Sequence, residues 1–180
     1  MKKEYSNIQA LLSQRLCKDE DPSSKFIRSL SHIKRQGYFT KNEFLAMCEW
    51  KSSRPRRHFI VNSEAEIRMV SREVFAIEYE KRRIELLTSL KGVRIPTASA
   101  ILMLTNPKSY GVIDIRVWQL LYFYGAVTSK PSGMNFSFSN WFHYLQKLRY
   151  WAKEFNVSAR LIERTLFEYH KEIQDGTLYG

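Results

Sequence analysis

Apolar residues return every three or four positions along almost the whole chain. The clearest run is Ile67, Val70, Val74 and Ile77, spaced three, four and three, which places all four on one face of a helix. The same spacing marks Tyr5, Ile8, Leu11, Leu12 and Leu16 near the start. It returns in Trp141, Tyr144, Leu145, Leu148 and Trp151, and again in Leu161, Ile162, Leu166, Tyr169 and Ile173. Most of the seven glycines and five prolines fall between these runs, as helix punctuation requires. The pattern predicts an all-α protein. With 44% hydrophobic and 14% aromatic residues, 180 residues can bury a core as one domain over 1–180, built as two lobes. Disordered, collagen-like and repeat architectures are excluded by the same numbers.

The charge is lopsided. Twenty-nine Lys and Arg face 18 Asp and Glu, a net +11, and the simplest partner for such a surface is a polyanion. Cys17 and Cys48 are too few for a disulfide framework or a four-thiolate metal or iron–sulfur site, and their apolar surroundings predict buried, reduced thiols. The opening MKKEYSNIQALLSQ lacks the apolar region of a signal peptide, and no run approaches a membrane span. These features predict a soluble protein, cytoplasmic or, in a eukaryote, nuclear, with no membrane contact.

Two start signals have the form of capping boxes, Thr40-Lys41-Asn42-Glu43 and Ser63-Glu64-Ala65-Glu66. Between them, Trp50-Lys51-Ser52-Ser53-Arg54-Pro55-Arg56-Arg57-His58 reads as a loop rich in cations. It is either a solvated surface loop or one that grips phosphates through Arg54, Arg56 and Arg57. Trp50 and Lys51, just ahead of the cations, are candidates for a base pocket. His32, His58, His143 and His170 share no metal-ligand spacing and read as surface or packing residues. Apolar spacing after Val74 continues through Ile84, Leu87 and Leu90, as one bent helix or two. After Gly125, AVTSKPSGMNFSFS reads as a Ser/Gly/Pro loop free to move.

The stretch from Leu90 to Trp118 carries the chemistry. Leu90-Lys91-Gly92-Val93-Arg94 must reverse the chain between two helices, and Gly92 permits a positive φ and a close approach to the backbone. Pro96 suits the first turn of the following helix. The N–H groups of that helix start carry partial positive charge and form a natural phosphate site. A hairpin of this kind is also common as plain structure. Asp114 stands immediately before IRVWQLLYFYG, where it reads both as an N-cap and as a functional acid.

Leu90-x-Gly92-Val93, with Ala98 following and Asp114 lying eighteen residues beyond Pro96, resembles the helix-hairpin-helix DNA glycosylase superfamily over about residues 84–125. The flanks, 1–80 and 130–175, match in being helical. The family pattern is L-x-G-V-G, then a position two residues on where bifunctional members carry a Schiff-base lysine, then the acid. In this chain Arg94 replaces the second glycine and Pro96 takes the lysine position.

The resemblance implies two helical lobes around a cleft and a monofunctional DNA glycosylase, acting as a monomer on double-stranded DNA, with no cofactor and no iron–sulfur cluster. Lys91, Gly92, Val93, Arg94 and Thr97 would hold one strand by its phosphates. An alkali cation, if kept, would sit on the carbonyls of Thr88, Leu90 and Val93. The target nucleotide would be flipped from the stack, and Asp114 would stabilise the sugar cation as the base leaves. Two other readings stay open: a hairpin protein that binds DNA without chemistry, favoured by Arg94 and Pro96, and an enzyme acting on modified foreign DNA.

Overall fold

The computed structural model describes residues 3–174. Within them the chain is all-α, and it divides into two compact units. One is continuous, Glu20–Pro107; the other joins Met1–Asp19 to Lys108–Gly180.

The continuous unit holds α2 (Ser24–Ser29), α3 (His32–Gln36), α4 (Lys41–Lys51), α5 (Arg56–Phe59), α6 (Glu64–Ala76), α7 (Glu80–Ser89) and α8 (Ile95–Thr105). Helix α8 is its axis. Every residue from Thr97 to Leu104 is buried, and the helix packs on α2, α4 and α7. The small residues Ala98, Ser99 and Ala100 allow those neighbours to approach closely. Buried aromatic rings add to this core, with Phe44 6.2 Å from both Phe39 and Phe59 by ring centroids. The Thr40 capping box forms as its sequence predicts: Glu43 accepts from the Thr40 N–H at 2.7 Å, and the Thr40 hydroxyl accepts from the Glu43 N–H. Only half of the Ser63 box forms: its side chain accepts from the Glu66 N–H at 3.1 Å, with no return bond from the Glu66 carboxylate, while Glu64 takes the Lys41 N–H at 2.7 Å.

One reading left open by the sequence is decided here, and one expectation changes. The apolar run from Val74 to Leu90 is two helices, because α6 ends at Ala76 with Ile77 extended and α7 starts at Glu80. The cation-rich stretch is a loop only in its middle. Trp50 and Lys51 complete the last turn of α4, and Arg56–Phe59 form α5, whose buried Phe59 ties that short helix to the core.

The second unit holds α1 (Ile8–Arg15), α9 (Ile115–Phe123), α10 (Phe138–Glu154) and α11 (Ala159–Ile173). Helix α11 packs on α1, α9 and α10, so the first and last described helices share one core. Leu11, Leu12, Trp118, Trp141, Tyr144, Leu148, Ile162 and Leu166 are buried there. The Ser/Gly/Pro loop is hydrogen-bonded to α9: Trp118 Nε1 donates to the carbonyls of Ser129 (3.2 Å) and Lys130 (2.9 Å), and Gln119 donates to Ser132. Cys48 is buried, and burial pushes its thiol well above the ordinary range. Cys17 departs from expectation: it follows α1, is half-buried, and donates its N–H to Thr165 Oγ1. Among the described residues no helix is long and apolar enough to cross a membrane.

Candidate functional site

In the continuous unit the reversal between α7 and α8 is a tight turn. Leu90 is extended, Gly92 has φ +85°, and the Val93 N–H donates to Leu90 O at 3.1 Å. Arg94 has φ −112° and ψ 172°, a region open to any L-residue, so the arginine sits without strain where the resembling family has glycine. Pro96 occupies the first turn of α8, as its missing N–H allows.

Asn62, which the sequence did not single out, holds this turn. It is fully buried. Its Nδ2 donates to Lys91 O (3.0 Å) and Phe59 O (2.9 Å), and its Oδ1 accepts from the Lys91 N–H at 2.8 Å. One amide therefore satisfies both polar groups of Lys91 and fastens α5 to the turn. An Asn between a basic stretch and a capping serine looks like any turn residue, so no sequence pattern announces this role.

The clasp changes the reading of Gly92. The space a Cβ would take there is filled by the chain itself, with His58 Cβ and Phe59 Cδ1 each 2.8 Å from it. The glycine thus serves the approach of α5, and not, on that side, the approach of another molecule. What α5 brings is charge. Arg54, Arg56, Arg57 and His58 are exposed on one side of the contact, and Lys91 and Arg94 are exposed on the other. Arg56 is paired with Glu49 at 3.0 Å, and Arg57 Nε donates to His58 Nε2 at 3.2 Å. The two stretches read separately in the sequence, basic loop and hairpin, are thereby one surface.

Among the turn amides, those of Lys91 and Val93 are spent internally. No side chain caps α8, so Gly92, Arg94, Ile95 and Thr97 are left with N–H groups that no described residue accepts. Val93 and Thr97 are themselves buried, which limits any contact of theirs to the little surface they keep. The Leu90 carbonyl already accepts from Val93, though such an oxygen has a second lone pair for a cation. Trp50 and Lys51 are half-buried at the end of α4.

Asp114 lies in the other unit. Its carboxylate accepts from the Arg116 N–H at 3.0 Å, so the N-cap expected from the sequence is formed. The run before it is held from two sides: Tyr144 Oη donates to Val112 O at 2.8 Å, Arg149 Nε to Ser109 O at 3.0 Å, and the Ala159 N–H to Lys108 O at 3.0 Å. Gly111 is required by closeness, since a Cβ there would lie 2.5 Å from Leu148 Cδ1 and 2.8 Å from Glu163 Cβ. Burial, with the charges of Glu163 and Asp114, raises the Tyr144 hydroxyl well above its ordinary range, which keeps it a donor. Asp114 itself is half-buried, on a backbone that α10 and α11 fix.

Close to it is His170, only 1% exposed. Burial, then the Arg116 charge, pushes its imidazole down to about 4, with Asp114 opposing. The unfolded ring binds its proton near the ordinary 6.5. Between these two values the unfolded chain holds more protons, so this group's share of stability is present above 6.5 and lost as pH falls toward 4. Urea midpoints measured from pH 7 to pH 4 should therefore decline, and His170→Phe should make the decline shallower. An unchanged slope would place His170 in a solvated setting.

No group of three or more His, Cys, Asp or Glu is arranged to hold a metal among the described residues. Comparison with protein-family models, with curated proteins and with solved structures gives no match.

Proposed function

We propose that this protein is a monofunctional DNA glycosylase that resembles the helix-hairpin-helix superfamily. The observation that carries the reading is the hairpin surface: unaccepted amides at the start of α8, flanked by exposed Lys91, Arg94, Arg54 and Arg57, all on a backbone locked by Asn62. Amides and cations so placed suit phosphates of one DNA strand and make no demand on sequence. Asp114 supplies the second requirement. A carboxylate fixed by a helix start can stabilise positive charge as it develops on the sugar of a flipped nucleotide. The partner is double-stranded DNA and the working form a monomer.

Binding should fall steeply with salt, because each phosphate neutralised releases condensed counterions. Titration of a duplex at several salt concentrations should give a log–log slope that Lys91→Ala or Arg57→Ala each reduces by about 1. Salt-independent binding would remove DNA as the partner. A second reading, a DNA-binding module without chemistry, is favoured by the two departures from the family pattern at Arg94 and Pro96.

The chemistry has its own test. Proline has no primary amine, so Pro96 cannot form the imine through which bifunctional relatives cut the strand. The product should be an intact strand with an abasic site, broken only on heating in alkali. Borohydride added during the reaction should trap no protein–DNA adduct. An adduct that disappears with Lys51→Ala would instead place lyase chemistry on a lysine outside the hairpin.

A further inference from the structure

The sequence reads His170 as a surface or packing residue, yet it is neither exposed nor satisfied. Its Nδ1 is buried with no hydrogen-bond partner. A buried polar group left unpaired costs about 1–3 kcal/mol, so native proteins keep one only for a reason such as a ligand, a bound water or catalysis. Its place in the fold narrows the reason. Arg116, whose N–H caps on Asp114, lays its guanidinium 5.8 Å from the Phe167 ring and hydrogen-bonds the Gln174 side chain. Phe167 lies three residues before His170, on its side of α11, and Gln174 is the residue at which that helix ends. One arginine thus spans from the Asp114 cap to the helical face that carries the unpaired imidazole. The charged groups acting on the ring from α9 are Arg116 and Asp114; on α11, Lys171 and Glu168 pair with each other at 2.8 Å.

We propose that His170 positions the attacking water against Asp114, an inference that rests on the glycosylase reading. The neutral ring hydrogen-bonds a water that the Asp114 carboxylate also holds, and so fixes the direction of its lone pair. The water oxygen bonds to the sugar C1′ as the C1′–N bond breaks. The electron pair of that bond leaves with the base, which takes a proton from solvent. The proton shed by the water passes to the Asp114 carboxylate. A ring kept neutral by burial and by Arg116 suits this task, since a charged imidazole would offer no acceptor to the water and would oppose the sugar cation.

The test is single-turnover base release, with enzyme in excess, from duplexes carrying uracil, hypoxanthine, 8-oxoguanine or 3-methyladenine. The proteins compared are wild type, His170→Phe and His170→Gln. On the duplex the wild type cleaves, His170→Phe should lose about 10²-fold in the rate constant at saturating enzyme, with DNA affinity unchanged. Its urea midpoint should stay close to that of wild type, because a phenyl ring of similar volume keeps the packing of the buried site. His170→Gln, which keeps an amide for the water, should recover to within about tenfold of wild type. Full activity of His170→Phe with a retained midpoint overturns the assignment while leaving the glycosylase reading intact. A folded glutamine variant as slow as the phenylalanine one overturns it equally. If His170→Phe does not fold, the ring ¹⁵N shifts of His170 decide, and these must move on Asp114→Asn. Unmoved shifts overturn the shared water. Wild type releasing none of the four bases overturns the glycosylase reading for these substrates and this inference with it.

Discussion

Asp114→Asn should leave the protein folded and able to bind DNA while base release falls by about 10²–10³, the usual worth of one preorganised electrostatic group at the reacting centre. One side chain performs two separable tasks. As an N-cap it accepts the Arg116 N–H at 3.0 Å, and an asparagine oxygen does that about as well. As a carboxylate it supplies a negative charge, which the amide cannot. The thermal midpoint should therefore shift little. Release of base, followed under single turnover, should nearly vanish. A variant that keeps full activity would reduce Asp114 to a cap.

Gly92→Ala should have the largest effect on stability in the hairpin, a loss of about 2–5 kcal/mol in urea unfolding. Two costs add. At φ +85° an L-residue sits in the left-handed region at about 1–2 kcal/mol. The new methyl would also lie 2.8 Å from both His58 Cβ and the Phe59 ring, and overpacking of this sort costs about 1–3 kcal/mol. Neither neighbour yields easily, because Phe59 is fully buried and Asn62 ties its carbonyl to the turn. Relief would mean moving α5 off the hairpin, so DNA affinity should drop with stability. An alanine variant as stable as wild type would show that α5 is not seated on the turn.

Local signals were legible in the sequence; their meeting places were not. Helical spacing gave the faces of α6, α10 and α11 because a side that repeats every three or four residues can only be buried as a helix. Thr40 and Asp114 were readable as caps because each stands beside the apolar run it starts. The break between α6 and α7 was hidden, since Ile77 and Ile84 continue the apolar rhythm across it. Helix α5 was hidden too: four residues, three of them cationic or His, look like a loop until Phe59 is seen in the core. Nothing in a linear pattern says that α1 shares a core with α11, or that Asn62 reaches Lys91. The unpaired Nδ1 of His170 is a fact of packing, invisible to spacing.

The central claim is that this chain cleaves the N-glycosidic bond, and the most direct measurement is mass spectrometry of the small molecules freed from DNA. Duplexes carrying deaminated, oxidised, alkylated or otherwise modified bases are incubated with wild type and with Asp114→Asn, and the filtrate is analysed. Wild type should free a base from at least one substrate and leave a matching abasic site in an uncut strand. The variant should free no more than about one-hundredth as much in the same time. Tight, salt-sensitive binding to every duplex with no base in any filtrate would contradict the claim and leave a hairpin protein that holds DNA without chemistry.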